Sequence, residues 1–217
     1  MLLNDFDPCS QDEFRSGLTS LETDGSAILV VGAVDDSSFA HMSSQLFGDP
    51  ALGRTPFVGS PDAEPAFAER LADAGFDPAD DMSHHTLGLV DPDLETVRNR
   101  LSRALWLNAS PNNADPGTIR VGIEITSLLE RTDPDTVVET LTPIRDHSKK
   151  FHAMTHLLYR NSLESLLDRF DTGQLETAFD IIVRLRDTGE ENPEQQWVLL
   201  EQNCTSDWID PSSVVNR

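Results

Sequence analysis

The histidines are the first residues whose types and spacing could do chemistry. The chain has six of them, and His152 and His156 are four residues apart in an apolar segment, which on a strand places them on one face. A second close pair is His84 and His85. A zinc site needs cysteine or carboxylate ligands at short spacing beside such a pair. Neither histidine pair has such ligands at the required spacing. The sequence therefore predicts no metal site and indicates ordinary buried or surface histidines.

A serine hydrolase is the second chemical hypothesis. Ser37, Ser38, His156 and Asp180 supply the residue types of a catalytic triad. The nucleophile of such an enzyme commonly lies in a G-x-S-x-G turn between a strand and a helix. The serines of this chain lack that turn, so the sequence favours a protein with no catalytic residues.

The glycine after the first apolar run could mark a phosphate site. The residues GAVDDSSF follow the run Ser26–Val31, where a phosphate loop would have the pattern G-x-x-x-x-G-K-[ST]. Gly32 matches, but Ser37, Ser38 and Phe39 replace the second glycine, the lysine and the metal-binding hydroxyl. Two interpretations stay open: a residual nucleotide or anion site at a helix N-terminus, or an ordinary turn in which Asp and Ser cap the helix.

Glu124 lies inside another apolar segment, where a carboxylate needs a partner or a cleft. It could stand beside a bound metal ion, or it could form a salt bridge with Arg120 or another arginine. We expect the salt bridge.

Two further features could bind a partner. Arg145, Lys149 and Lys150 form a local positive cluster that could contact an acidic group or a phosphate. The same cations could simply stabilise the C-terminal end of a helix. Trp208 could anchor a protein partner, because tryptophan is enriched at interface hot spots, or it could close the core over the last strands.

The elements that must position these residues alternate between strands and helices. A capping box begins a first helix at Ser10, and five strand–helix repeats follow. Two final strands have no helix between them. We therefore expect one α/β domain over 1–217 with three αβα layers, a mostly parallel sheet and an antiparallel C-terminal strand pair. Residues 1–25 would form a helical extension and residues 205–217 a tail. The predicted strands are 26–31, 55–59, 86–90, 119–125, 152–159, 179–185 and 196–202, and one predicted helix runs from Asp62 to Ala74.

These segments resemble the RecA/KaiC-type branch of the P-loop ATPases. The segment TIRVGIEITSLL, residues 118–129, is similar to the family's Walker B segment, with Glu124 near the position of its aspartate. Residues 133–156 resemble the next helix and strand of that family, and the last two strands resemble its C-terminal antiparallel strands. Trp197 and Trp208 around that hairpin suggest a haloarchaeal branch of uncharacterised KaiC-like proteins with a degenerate P-loop. The resemblance implies a RecA-like fold, and it carries over Gly32 and Glu124 as motif residues.

The charge balance indicates a habitat. The chain has 38 Asp and Glu against 16 Lys and Arg, for a net charge of −22. Molar salt shortens the Debye length to about 3 Å, which removes most of the resulting self-repulsion. This composition is typical of proteins from halophiles that accumulate salt. It argues against nucleic-acid binding without excluding it, because such binding uses basic stripes.

Cysteine usage and the N-terminal residues indicate a cytoplasmic protein. Cys9 and Cys204 lie at opposite ends of the chain with no CxxC motif, so we expect no disulfide framework. The first residues carry acids where a signal peptide has cations. The longest apolar run, residues 27–31, is too short to span a bilayer, so we expect no membrane insertion.

These observations lead to one main functional hypothesis and two alternatives. The main hypothesis is a non-catalytic RecA/KaiC-like module for protein interaction or regulation in a halophile cytosol, without cofactor and with a protein partner or self-association. The first alternative is a nucleotide-binding protein or weak ATPase that uses ATP and magnesium through a divergent loop. A metal-dependent or serine hydrolase is the second alternative.

Overall fold

The computed structural model describes residues 6–48, 55–59, 85–86, 93–108, 115–189 and 193–210. Strands and helices alternate through most of these ranges, as predicted. The predicted helix from Asp62 to Ala74 and the predicted strand residues 87–90 lie outside them. The elements are β1 (Asp7–Pro8), α1 (Gln11–Asp24), β2 (Ser26–Val31), α2 (Asp36–Phe47), β3 (Thr55–Gly59), β4 (His85–Thr86), α3 (Leu94–Asn108), β5 (Ile119–Glu124), α4 (Thr126–Arg131), α5 (Pro134–Lys150), β6 (Met154–Tyr159), α6 (Leu163–Leu167), α7 (Thr172–Ala178), β7 (Ile181–Arg186), β8 (Glu194–Leu199) and β9 (Cys204–Thr205).

The described strands form one sheet in the order β1-β9-β8-β7-β2-β6-β5-β3-β4. The six strands from β7 to β4 in that order are mutually parallel. Strand β8 is antiparallel to both β7 and β9. The predictions of a mostly parallel sheet and an antiparallel C-terminal pair are therefore confirmed. Strand β2 lies between β6 and β7, so the turn that follows it leaves the sheet from an interior strand.

Helices cover both faces of this sheet, which gives the three layers. Helices α1 and α2 pack on one face through Leu21, Phe39 and Phe47. Helices α3 to α7 pack on the other face, where Leu101, Leu141 and other apolar side chains meet alternate residues of the central strands. All six residues of β2 are buried, because both sides of that strand are covered.

The first and last described strands meet at one edge of the sheet, which the sequence did not predict. Strand β1 pairs in parallel with β9, and Cys9 forms a disulfide with Cys204 whose Cα atoms are 5.1 Å apart. The expectation that these cysteines have no disulfide was wrong, because it rested on their separation along the chain. Within the predicted tail, Ile209 bridges to Gln195 of β8.

Among the helices that the structure describes, none is long and apolar enough to cross a membrane.

Candidate functional site

The turn between β2 and α2 is closed by a carboxylate of the chain itself. Asp35 is the N-cap of α2 and has extended backbone angles. Its carboxylate accepts hydrogen bonds from the Ser38 N–H at 2.8 Å and the Ser37 hydroxyl at 2.8 Å. The Ser38 backbone bond, followed by the Ser37 bond, lowers the pKa of Asp35. Amide and hydroxyl groups that could face an anion at this helix terminus thus bind Asp35.

Gly32, the one glycine that matches the phosphate-loop pattern, is required by packing. A Cβ atom at this position would lie 2.7 Å from the Leu185 carbonyl oxygen and 2.9 Å from the Leu185 Cβ. Strand β7 approaches the end of β2 too closely for any side chain there. The presence of this glycine therefore has a structural cause that involves no ligand.

We expect replacement of Asp35 with alanine to lower the free energy of unfolding by about 1 kcal/mol, because the first turn of α2 loses its cap. Asp35→Asn keeps a capping oxygen, so we expect it to change the free energy of unfolding by only a few tenths of a kcal/mol. Denaturant unfolding of the two variants beside the wild type measures the difference. Equal losses in both variants would show that the negative charge of Asp35, and not its capping hydrogen bonds, stabilises the turn.

Glu124 forms its salt bridge with Arg160, at the carboxyl ends of β5 and β6. The Arg160 Nη1 lies 3.0 Å from the Glu124 Oε1, and the same guanidinium also forms an ion pair with Asp36 in the first turn of α2. The backbone N–H of Arg160 donates to the Thr126 hydroxyl at 2.8 Å. Partial burial lowers the pKa of Arg160 from its ordinary value. These contacts join the carboxyl ends of β5 and β6 to the first turns of α2 and α4 in one network, which we call the edge network: Asp36, Glu124, Thr126 and Arg160.

Arg120, the other arginine considered for Glu124, lies buried elsewhere. It donates to the Glu22 carboxylate at 2.7 Å and to the Gly117 carbonyl at 2.6 Å, and so ties α1 to the start of β5.

The positive cluster on α5 neutralises a buried acid. The Asp180 Oδ1 lies 2.7 Å from the Arg145 Nε and 2.8 Å from the Lys149 Nζ. The Asp180 Oδ2 accepts the Ala27 N–H at 2.9 Å, and Asp180 is only 1% exposed. Lys150 instead lies over the Phe151 ring, with its Nζ 5.5 Å from the ring centroid. Two of the three candidate cations therefore bind Asp180 at the amino end of β7. The sequence signal that could have identified Asp180 as their acceptor is its position as a carboxylate immediately before an apolar strand.

Trp208 lies against two arginines of β7. The guanidinium carbon of Arg186 is 4.1 Å from the centroid of its ring, and that of Arg184 is 5.5 Å away. The Trp208 side chain is half-buried by these contacts. This geometry fits a residue that covers the last strands.

His152 lies in the turn before β6, whereas His156 lies within the strand. Strand β6 begins at Met154, and His152 has a φ of 51°, so the prediction that the strand includes His152 was wrong. His152 contacts the Thr23 carbonyl through Nδ1 at 2.9 Å, whereas His156 is buried with its Nε2 2.5 Å from the Ser43 hydroxyl. Burial, followed by the charge of Arg120, lowers the pKa of His156 to about 3.

The four residues of the hypothetical triad make separate contacts. His156 is bound to Ser43, Asp180 is bound to Arg145 and Lys149, and Ser37 and Ser38 are bound to Asp35. Across the described ranges, no three His, Cys, Asp or Glu side chains lie together as a metal-binding group. Ser37, Ser38, His156 and Asp180 therefore do not come together as a hydrolytic triad.

The fold and the site together define an α/β protein in which ion pairs and a helix cap of the chain itself occupy the carboxyl ends of the central strands. Residues 25–185 match a Family of unknown function (DUF7504), and the chain belongs to this family. The match begins just before β2 and ends within β7, so it includes Gly32, Asp35 and the edge network. No curated protein matches the chain.

Proposed function

We propose that this protein is a non-catalytic RecA/KaiC-like module for protein interaction or regulation. The observation that carries the proposal is the closed carboxyl edge around β2. Parallel α/β sheets bind ligands outside the carboxyl ends of their strands, where a helix N-terminus and nearby cations attract phosphate. In this chain Asp35 occupies the α2 terminus, and Asp36 and Glu124 form ion pairs with Arg160.

A surface for partners is supported by two exposed side chains on α3. Trp106 is 67% exposed and Leu107 is 59% exposed. Large exposed apolar side chains can contribute to an interaction site when they belong to an extended apolar patch. We propose a protein partner or self-association through such surfaces, with nucleic acid a poor match for a chain of net charge −22. The same charge supports a halophile cytosol as the setting.

A nucleotide-binding protein is the second candidate function, and the arginines near the same edge favour it. Arg160 follows β6 and Arg186 ends β7, the two strands that flank β2. A nucleotide that displaced Asp36 from Arg160 would gain a charge-assisted hydrogen bond. This candidate uses ATP with magnesium and requires the edge network to open.

A thermal melting scan of the full chain in molar KCl, with and without Mg-ATP, distinguishes the two candidates. A ligand that binds only the folded state at a hundredfold excess over its Kd adds about 2.7 kcal/mol of stability. For a chain of this size, that corresponds to a rise in Tm of roughly 5 to 10 °C. We expect no shift. A shift of that size that disappears in Arg160→Ala would establish the nucleotide-binding protein instead.

A further inference from the structure

The Cys9–Cys204 disulfide joins the two outermost strands at one edge of the sheet. Cys9 directly follows β1, and Cys204 begins β9. The two residues are 195 positions apart in a chain that has no other cysteine. We propose that this bridge is a reducible clasp. When a dithiol reduces it, β1 leaves the sheet and the remaining fold stays intact. This device goes beyond the proposed function and does not depend on it.

Within the part of the chain that the structure describes, strand β1 has few attachments besides the bridge. Only Asp7 and Pro8 pair with β9, and Pro8 has no N–H to donate. One further backbone bond joins the Cys9 N–H to the Thr205 carbonyl at 2.8 Å. The side chains of Asp7 and Pro8 are exposed, so Phe6 supplies the buried aromatic contact of this short segment. A strand this short depends on the covalent link for its place at the edge.

Helix α1, which follows β1, is attached independently of the bridge. Its N-terminus is closed by the reciprocal capping box of Ser10 and Glu13. Its inner face packs on the sheet, where the Phe14 ring meets the Trp197 ring edge to face at 6.4 Å. Gly17 lies so close to Leu199 that a Cβ atom there would be 2.7 Å from the Leu199 Cδ1. Reduction therefore leaves α1 in place.

The segment that contains β9 is also held without the bridge. The Ser206 N–H donates to the Trp197 carbonyl at 2.8 Å, and the Trp197 N–H donates to the Ser206 hydroxyl at 2.9 Å. Farther along, Ile209 bridges to Gln195, and Trp208 lies over Arg186. With both flanking segments anchored, opening of the bridge frees β1 alone. The backbone edge of Cys204 and Thr205 then has no strand beside it and can accept an extended strand.

The exchange chemistry needs a dithiol and no other reactant. Cys9 is half-buried, whereas Cys204 is 9% exposed, so an external thiolate reaches the bridge from the Cys9 side. Attack on the Cys9 Sγ forms a mixed disulfide and releases the Cys204 thiolate, which takes up a proton. The second thiol of the reductant then attacks the mixed disulfide and releases Cys9. Two electrons and two protons pass to the protein, and the reductant leaves as a cyclic disulfide.

Hydrogen exchange of the full chain, oxidised and after treatment with dithiothreitol, tests the clasp. We expect the amides of Phe6, Asp7 and Cys9 to exchange at least tenfold faster in the reduced protein. Amides of β2 and β6 should keep their protection, and reoxidation should restore the slow exchange. The Cys9→Ser/Cys204→Ser variant serves as a control that should match the reduced wild type under both conditions.

Three results would overturn the clasp. Unchanged exchange at residues 6–9 after reduction would show that β1 is held without the bridge. Faster exchange in β2 and β6 as well would show that the bridge supports the whole fold. Two alkylatable thiols in protein purified without reductant would show that the bridge does not form. None of these results depends on whether the protein binds ATP.

Discussion

Replacing Asp180 with alanine is expected to lower the free energy of unfolding by about 3 kcal/mol. Asp180 is buried, and its carboxylate binds Arg145, Lys149 and the Ala27 N–H. The variant leaves the Ala27 N–H without this acceptor inside the sheet, a loss that costs about 1–3 kcal/mol by itself. The two cations are partly exposed and regain some hydration, which keeps the loss near the lower end of the range for broken buried pairs.

Denaturant unfolding of Asp180→Ala, Asp180→Asn and Asp146→Ala provides the measurement with matched controls. Asp180→Asn keeps an oxygen for the Ala27 N–H, so this variant should lose less stability than Asp180→Ala. Asp146 lies exposed on α5 beside Arg145, so Asp146→Ala should change the free energy of unfolding very little. A loss below about 1 kcal/mol in Asp180→Ala would mean that the α5 cations do not serve the fold, and would return Arg145 and Lys149 to the candidates for partner binding.

Acidification is expected to lower the free energy of unfolding, because the buried His156 resists protonation in the folded protein. Burial lowers the pKa of His156 from 6.5 to about 3 in the folded protein. Between those values the unfolded chain binds a proton that the folded protein does not, so stability rises with pH in this window. The contribution of His156 is complete above pH 6.5 and is lost as the pH falls toward 3. Each pH unit inside the window removes about 1.4 kcal/mol.

A comparison of the wild type with His156→Gln isolates this proton from the carboxylates, which also titrate in acid. Glutamine can still form a hydrogen bond with the Ser43 hydroxyl but takes up no proton. We expect the difference in unfolding free energy between the two proteins to shrink as the pH falls through the window. Parallel stability curves for the two proteins would show that His156 has an ordinary pKa, and hence that its environment is open to water.

The elements that the sequence predicted well are those with local signals. The capping box at Ser10 begins α1 where the sequence placed it, because a capping box is determined by a few neighbouring residues. The antiparallel pair of β7 and β8 was predictable for a similar reason: the connection between the two strands is too short for a helix.

The contacts of the candidate site could not be predicted because they depend on which strands are neighbours. Glu124 lies opposite Leu158 in the β5–β6 register, and this places Arg160 beside it. Strand geometry does argue against Arg120, because four residues along a strand span about 13 Å. The Asp180 ion pairs, the β1–β9 pairing and the disulfide join residues far apart in the chain, and no local pattern indicates such partners.

The structure gives a physical account of the turn GAVDDSSF, which was compared with the phosphate-loop pattern. The absence of a lysine and a second glycine only deprives a phosphate of favourable groups, whereas the Asp35 cap and the Asp36–Arg160 pair are contacts that a phosphate would have to displace. All four positions of this turn that were compared with the motif have partners or packing within the chain: Gly32, Ser37, Ser38 and the buried Phe39.

Calorimetric titration of Mg-ATP into the full chain in molar KCl tests the closed edge most directly. We expect no saturable heat for the wild type, because the α2 terminus and Arg160 are already bound by Asp35, Asp36 and Glu124. A saturable isotherm with a Kd below about 1 mM, a binding free energy beyond about −4 kcal/mol, would contradict the closed edge. Loss of that isotherm in Arg160→Ala would place the nucleotide at the edge network and make the protein a nucleotide binder.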